Sequence, residues 1–220
     1  MSRVYTVKEI YYTLQGEGGQ TGRAAVFCRF SGCNLWSGRR EDRLSATCRF
    51  CDTDFVGTDG PGGGKFRDAG LLADAVAATW SGTDLSRAEL GRPLVVCTGG
   101  EPLLQLDAEL ISALKQRGFE VAVETNGTQF APSGIDWVCV SPKAGARLLL
   151  KHGDELKLVY PQAEPEAHPS QFEGLAFRHF FLQPLDGPQG EENTRLAAKY
   201  CLEQPQWRLS LQTHKLVGLP

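Results

Sequence analysis

Apolar and polar residues recur along the chain with two periods. One is typical of short strands and the other of amphipathic helices, and segments of the two kinds alternate. Residues 94–98 form a short, apolar, β-branched run with Pro93 only at its start, which is typical of a buried strand. Residues 106–117 carry a helical pattern that Gly118 ends. The same patterns predict further strands at residues 24–30, 120–125, 137–141, 155–160, 177–183 and 207–212, and further helices at 68–80 and 193–204.

Alternating strands and helices predict an α/β fold with a mostly parallel sheet. Polar side chains stand where four of the predicted strands end, at Thr98, Glu124, Ser141 and Gln183. Parallel α/β sheets place their functional sites at the carboxyl ends of the strands. We therefore expect these four residues to share one site.

Length and composition narrow the class of protein. With 220 residues the chain is expected to form a single domain over residues 1–220, and the loops at 58–64 and 163–170 are not expected to be domain linkers. A net charge of −3 does not favour nucleic-acid binding. No apolar run approaches the ~20 residues that a membrane span needs. Polar residues follow Met1 directly, so we expect no signal peptide and a cytoplasmic location for the free cysteines.

Three of the seven cysteines carry the strongest chemical signal. Cys33 is separated by 14 residues from Cys48, and Cys51 follows two residues further on. Three thiolates can hold three corners of a cubane iron–sulfur cluster and leave one iron open to a ligand. Two alternatives stay open: a zinc site that takes Cys28 or a histidine as its fourth ligand, or ordinary buried thiols.

A second motif follows the strand at residues 94–98. It reads Gly99-Gly100-Glu101-Pro102. Glycines let the backbone approach a ligand closely, and the glutamate stands at the carboxyl end of a strand. Alone the motif would indicate a strand-to-helix turn, but beside the three cysteines it points to a cofactor site.

Together these motifs resemble the radical S-adenosylmethionine (SAM) superfamily. Its usual cysteine spacing is shorter, and the 14-residue gap resembles that of the 7-carboxy-7-deazaguanine synthases with an expanded loop. Further matching segments lie at residues 12–18, 124–127, 141–143, 183–186 and 212–215. The resemblance implies an incomplete, split TIM-like barrel in which loops replace some helices, since a full barrel needs about 250 residues.

The resemblance also implies a cofactor site. Cys33, Cys48 and Cys51 would ligate a [4Fe–4S] cluster, and Glu101 would face the ammonium group of SAM, although a capping role for Glu101 is the alternative. Lys143 could instead be a surface lysine. The residues implied to bind SAM are Phe50, Cys51, Asp52, Gly99, Gly100, Glu101, Glu124, Asn126, Ser141, Pro142, Lys143, Gln183, Pro184, Leu185 and Asp186.

The implied substrate is 6-carboxy-5,6,7,8-tetrahydropterin, and the implied metal is Mg²⁺ on the Thr53 hydroxyl; a hydrogen bond within its own turn is the alternative for Thr53. Arg29 could pair with the substrate carboxylate or form a structural ion pair. The apolar stretch 216–220 suits a buried end whose terminal carboxylate meets the pterin, or else a disordered one. The candidate substrate residues are Leu14, Gln15, Gly16, Glu17, Arg29, Thr98, His214 and Pro220, with Lys215 beside them.

The activity implied is a carbon–nitrogen lyase reaction of queuosine biosynthesis. The six-membered ring contracts to 7-carboxy-7-deazaguanine, ammonia leaves, and SAM is regenerated. A flavodoxin- or ferredoxin-type electron donor and a homodimer are the implied partners. Two other functions remain open: a radical SAM activase that acts on a protein, and a zinc-stabilised α/β binding module without enzymatic activity. The insertion at residues 34–47 could shape the surroundings of the cluster or dock a reductase.

Overall fold

The computed structural model describes residues 3–81 and 91–220. Within these ranges it contains nine strands and four α-helices. The strands are β1 (Tyr5–Leu14), β2 (Ala24–Phe30), β3 (Gly64–Phe66), β4 (Leu94–Gly99), β5 (Glu120–Thr125), β6 (Trp137–Val140), β7 (His152–Tyr160), β8 (Ala176–Pro184) and β9 (Trp207–Leu209). The helices are α1 (Ala69–Thr79), α2 (Ala108–Gln116), α3 (Gly190–Glu203) and α4 (Thr213–Leu216).

All nine strands form one sheet in the order β3-β1-β2-β4-β5-β6-β7-β8-β9. Strands β2 and β4 to β9 are parallel, while β1 runs antiparallel to both β2 and β3. The first and last strands of this order do not pair, so the sheet stays open. No α-helix connects β5 to β6, β6 to β7 or β7 to β8, and all of these connections are described. The predicted fold, a split TIM-like barrel with loops in place of some helices, is confirmed.

Local capping explains where two helices begin. The Asp68 side chain accepts a hydrogen bond from Leu71 N, and Asp107 does the same for Leu110 N. Both helices therefore start one residue after an aspartate cap. The predicted helices at 68–80 and 106–117 are correct apart from these ends. Helix α3 begins three residues before the predicted 193, without a side-chain cap to mark its start.

Two strands were not predicted. In β1 the alternation of apolar and polar residues is broken by an irregularity between Val7 and Glu9, which hides the strand pattern. Strand β3 begins at Gly64, inside the segment predicted to be a loop. Strand β9 is shorter than predicted and ends at Leu209. None of the helices described is long and apolar enough to cross a membrane.

The alternation of side chains along the strands decides what faces the inside of the barrel. Leu94 and Val96 of β4 pack with Ala25 and Ala122 in a small apolar cluster that plugs the inside. Toward their carboxyl ends, the strands present polar or reactive side chains on the same face. These are Arg29 on β2, Thr98 on β4, Glu124 on β5, Cys139 on β6, Lys157 on β7 and Gln183 on β8, and all of them line one cavity.

Candidate active site

A cavity of about 610 Å³ opens above the apolar plug, at the carboxyl ends of the parallel strands. It brings together almost every residue that the sequence predicted for the site. The predicted residues that line it are Leu14, Gln15, Glu17, Arg29, Cys33, Cys48, Phe50, Cys51, Asp52, Thr53, Thr98, Gly99, Gly100, Glu124, Asn126, Ser141, Lys143, Gln183, Pro184, Leu185, Asp186, His214, Lys215 and Pro220. Gly16, Glu101 and Pro142 do not line it.

One side of the cavity is the segment of residues 33–55, which we call the cysteine loop. It carries the three predicted ligands, and all three thiols line the cavity. Leu35 N donates to Cys33 Sγ at 3.4 Å. A hydrogen bond between the Cys48 and Cys51 thiols lowers the pKa of Cys51 to about 6 and raises that of Cys48. Thiolate character at one cysteine suits metal ligation.

The packing inside the cysteine loop is local. The rings of Trp36 and Phe55 meet edge to face with centroids 5.6 Å apart, and the Arg43 guanidinium lies 4.0 Å from the centroid of the Trp36 ring. These two aromatic residues and Ala46 form a hydrophobic cluster separate from the main core. The insertion thus builds a small core of its own under the cysteines.

The two glycines after β4 line the cavity, and their missing side chains let the chain pack closely against the backbone around Phe30 and Gly32. A Cβ on Gly100 would lie 2.1 Å from Gly32 O and 2.9 Å from the Cys33 Cβ. Gly99 has φ +132°, and a Cβ there would lie 2.2 Å from Phe30 O. Any larger residue would push the cysteine loop away from β4.

The donor set fits a cubane cluster better than a zinc ion. Three thiols line one cavity next to a glycine turn that exposes backbone. Cys28, the cysteine considered as a fourth zinc ligand, is buried in the main core and does not line the cavity. A structural zinc needs four ligands on one ion, whereas the ligands of a cubane bind separate irons.

Glu101 does not face the cavity, and the structure supports the alternative reading of this residue as a cap. Its carboxylate is fully buried and accepts hydrogen bonds from Leu103 N at 3.0 Å, Thr125 Oγ1 at 2.7 Å and Asn126 N at 2.8 Å. Burial raises its pKa, and these hydrogen bonds oppose the rise. Glu101 therefore ties the end of β4 to the end of β5. Gly-Gly-Glu-Pro alone could not reveal that the side chain turns away from the cavity.

Lys143 lies inside the cavity rather than on the surface. Its Nζ donates to Ser141 O at 2.8 Å and to Ser141 Oγ at 2.6 Å, and it lies 5.9 Å from the centroid of the Phe50 ring. Burial lowers its pKa, and the nearby cysteines act in the opposite direction. Pro142 between the two polar residues is buried outside the cavity.

Opposite the cysteine loop, a lysine that the sequence did not single out joins two predicted carboxylates. Lys157 of β7 forms ion pairs with Glu17 and, at 3.2 Å, with Glu124. We call these three residues the acidic floor. Glu17 also accepts hydrogen bonds from Gln183 and Gln212, each at 2.9 Å. Glu124 accepts from Gln15 at 3.1 Å and from Thr98 at 3.2 Å.

Opposite charges within the acidic floor shift the pKa values of Glu17 and Lys157. Burial alone would raise the pKa of Glu17, but the charge of Lys157 and the hydrogen bonds from Lys157, Gln212 and Gln183 outweigh it and hold the pKa at about 2. Burial likewise acts to lower the pKa of Lys157, but Glu124 and Glu17 raise it well above the ordinary value. Glu17 and Lys157 are therefore both charged at neutral pH.

Arg29 lines the cavity and also forms the structural ion pair that the sequence left open. Its Nε donates to Glu9 Oε1 at 2.7 Å, and its Nη2 donates to Tyr11 Oη at 2.9 Å. Both partners lie on β1, the strand that the sequence did not predict. The guanidinium is held in place by this pair before any ligand arrives.

The C-terminal segment closes against the loop that follows β1. Thr213 N and Oγ1 both donate to Gly16 O at 3.0 Å, and Gly18 N donates to Ser210 Oγ at 2.9 Å. A Cβ on Gly16 would lie 2.0 Å from His214 Nδ1, so Gly16 serves the packing of His214 and does not line the cavity itself. Residues 210–212 are not part of β9, because α4 begins at Thr213 and redirects the chain.

The expectation that residues 216–220 are buried is wrong. All five are exposed, with Leu216 74% exposed. Pro220 nevertheless lines the cavity, and an oxygen of its terminal carboxylate accepts a hydrogen bond from Thr13 Oγ1 at 3.2 Å. The segment crosses the rim of the cavity and leaves its apolar side chains outside.

The comparisons with known proteins agree with this geometry. A scan of protein-family models gave no match. The chain is 63% identical to the 7-carboxy-7-deazaguanine synthase of Caulobacter vibrioides and 62% identical to that of Bordetella pertussis. Each alignment covers 98% of this chain and 99% of the relative. The crystal structure of QueE from Escherichia coli matches with a TM-score of 0.70 at 26% identity, over 94% of this chain and 93% of that one. The chain belongs to the 7-carboxy-7-deazaguanine synthase family.

Proposed function

We propose that this chain catalyses the radical SAM-dependent ring contraction of 6-carboxy-5,6,7,8-tetrahydropterin to 7-carboxy-7-deazaguanine, with loss of ammonia, in queuosine biosynthesis. One observation carries the proposal: a three-cysteine loop and a floor of fixed hydrogen-bonding groups line one and the same cavity. The first suits an iron–sulfur cofactor, and the second suits a flat ring rich in donors and acceptors. In this role the enzyme is a carbon–nitrogen lyase.

Cys33, Cys48 and Cys51 would hold a [4Fe–4S] cluster. When bound, the cluster supplies the electron that generates a hydrogen-abstracting radical from SAM. The chain's own residues position SAM: the Gly99-Gly100 turn offers backbone at close range, and Lys143 stands fixed by Ser141 beside Phe50. Gln183 and the segment 184–186 end β8 on the same rim and suit the adenosine part.

The acidic floor suits the pterin ring. The ring presents N–H and amino donors, and Glu17 and Glu124 are charged acceptors that are already oriented by their neighbours. Thr98 and Gln15 lie on the same surface, and Arg29 stands at its edge. His214 and Pro220 complete the rim, and their place there depends on the contact between the C-terminal segment and Gly16. Fixed groups that need no reorganisation favour tight orientation of the substrate.

Mg²⁺ on Thr53 is part of the proposal. Thr53 lines the cavity between the exposed carboxylates of Asp52 and Asp54, and a hard cation that keeps several waters tolerates few protein ligands. Thr53→Ala should reduce the stimulation of turnover by Mg²⁺ and leave the iron content unchanged. Equal activity with and without Mg²⁺ in chelated wild-type samples would contradict this role.

The partners proposed are a small iron–sulfur or flavin protein as electron donor and a second copy of this chain. All seven cysteines are free, which supports a reducing, cytoplasmic setting.

The direct test is anaerobic incubation of the iron-reconstituted protein with SAM, a reductant and the tetrahydropterin. We expect a deazapurine product of the correct mass, one ammonia per product and no net loss of SAM. Cys48→Ala serves as the inactive control, and Cys201→Ala as a matched active control whose thiol does not line the cavity. An iron-loaded wild-type protein that cleaves SAM but forms no product from the pterin would contradict the proposal.

A further inference from the structure

Lys157 is a buried cation in the acidic floor to which the proposed chemistry assigns no role. It is 6% exposed and lies in the middle of β7, pointing into the barrel. Its ammonium forms ion pairs with Glu17, from the loop after β1, and with Glu124 at the end of β5. One lysine thus joins two carboxylates that come from separate elements of the fold.

The hydrogen bonds around the two carboxylates leave Lys157 as their shared cation. Lys157 donates to Glu17 Oε2 and Glu124 Oε1, while Gln183 and Gln212 donate to the other oxygen of Glu17, Oε1. These other donors are neutral amides and hydroxyls. The remaining titratable or charged groups that face this cluster in the described residues are Glu155, Cys139 and Lys143 around Lys157, and Arg29 and Tyr11 around Glu124.

Those neighbours do not replace Lys157. Arg29 is already paired with Glu9 at 2.7 Å, and Lys143 donates to Ser141. Glu155 adds a further negative charge, which accepts a hydrogen bond from Gly19 N at 2.7 Å. Two carboxylates that lose their common cation in a buried site cannot both stay ionised, so the pKa of one of them rises strongly.

We propose that Lys157 is a positioning residue for substrate recognition: by pairing with Glu17 and Glu124 at once, it keeps both carboxylates charged and fixed as acceptors for the donor edge of the pterin ring. This inference rests on the proposed function. If one carboxylate became protonated, it would turn a donor toward the donors of the ring, and the complementarity would be lost. Lys157 therefore sets the charge state and the orientation of both carboxylates, and it does not itself need to touch the substrate.

The test compares Lys157→Met, Lys157→Gln and Lys157→Arg with wild type. Gln keeps an N–H donor without the charge, and Arg keeps the charge. Lys115→Met is the matched control, since Lys115 also pairs with a carboxylate, Asp136 at 2.8 Å, but lies on the surface. Measurements are KM and kcat for the tetrahydropterin, and the affinity for 6-carboxypterin as an unreactive probe, from about pH 6 to about pH 8.5, where a buried carboxyl without its cation titrates.

We expect Lys157→Met and Lys157→Gln to raise KM and weaken probe binding by about tenfold or more at neutral pH, with kcat changed less. The ratio of variant KM to wild-type KM should fall as the pH rises, because alkali restores the lost ionisation. Lys157→Arg should show a flat ratio, and Lys115→Met should behave as wild type. Infrared spectra of the two uncharged variants should show a protonated carboxyl band that grows toward acid pH.

Several outcomes would overturn the inference. A ratio that is independent of pH in both uncharged variants, or an infrared spectrum without the carboxyl band, would show that Lys157 acts only in folding. If Lys157→Met does not fold, Lys157→Gln gives the same decision, since it also removes the charge but keeps a polar side chain in the buried site. Wild-type protein that binds no 6-carboxypterin would overturn the proposed substrate together with this inference, whereas wild-type binding with unaffected uncharged variants overturns the inference alone.

Discussion

The acidic floor and the cysteine loop line the same cavity, yet different forces hold them in place. Glu124 and Lys157 stand on strands inside the sheet. Glu17 pairs with Lys157 and accepts hydrogen bonds from the amides of Gln183 and Gln212. The cysteine loop contains no strand or α-helix in any of its residues, and only a small aromatic cluster packs beneath it. The floor is therefore formed by the fold itself, while the loop depends on what its thiols bind.

This difference predicts how the two sides respond to change. Removing a thiol should abolish the chemistry and leave the fold almost untouched, because the loop contributes little to the main core. Changing the floor or the parts that hold it should weaken substrate binding or stability in graded amounts. The predictions below test this contrast from the largest expected effect to the smallest.

Replacing Cys33, Cys48 or Cys51 by Ala should abolish SAM cleavage and product formation. Without one thiol the cluster loses a ligand, but the strands that carry the floor keep all their partners. Iron content, turnover and the melting temperature of the cluster-free protein are the measurements, and Cys201→Ala is the control. Full activity in any of the three variants, or collapse of the fold in all of them, would contradict the difference proposed between the cysteine loop and the acidic floor.

Gly16→Ala should raise the KM for the pterin by about tenfold, because the new methyl group meets the His214 ring and backbone and must displace them from the rim. The affinity for SAM should change much less. Gly174→Ala is the matched control, since a Cβ there meets nothing within 4 Å. Equal KM values in the two variants would show that the contact of the C-terminal segment with Gly16 plays no part in substrate recognition.

Glu101→Gln should lower the free energy of unfolding by about 1–3 kcal/mol, because an amide NH₂ would face one of three donors that now meet a carboxylate. Denaturant unfolding of the cluster-free protein measures this, and the exposed Glu203→Gln is the control. If stability is unchanged while SAM affinity falls, the carboxylate contacts the cofactor after all.

The acid sensitivity of the floor follows from Glu17. Its pKa falls from 4.5 in the unfolded chain to about 2 in the fold, so its contribution to stability is fully present above about pH 4.5 and is lost as the pH falls toward 2. Glu17→Gln should remove part of the pH dependence of unfolding in that window. Parallel curves for wild type and variant below pH 4.5 would mean that Lys157 does not stabilise the ionised form.

The same contrast explains what the sequence could predict. The cysteine loop and the Gly99–Gly100 turn are contiguous motifs, so their place in the site was predictable. The alternation of strands and helices predicted the α/β class with a parallel sheet, and the barrel itself came from the family resemblance. Gln212 lay in a segment that matched the family, but its contact with Glu17 was not predicted. Lys157 was missed because the floor is assembled from single residues on separate elements, and only the inward alternation of side chains along β7 could have suggested it.

Orientation set by tertiary contacts is what the sequence could not give for Glu101 and for residues 216–220. The motif left two roles open for Glu101, and only the structure shows its carboxylate turned toward Thr125. Apolar content alone indicated a buried end, but the position of α4 leaves Leu216 and Val217 outside the rim.

Hydrogen–deuterium exchange of the cluster-free and cluster-loaded protein tests most directly whether one side of the cavity is formed by the fold and the other by its cofactor. Exchange reports local opening, which is easiest where few contacts and few backbone hydrogen bonds exist. We predict that loading the cluster slows exchange in residues 33–55 and leaves β5 and β7 unchanged. Equal slowing across β5, β7 and the cysteine loop would contradict a floor that is formed in advance.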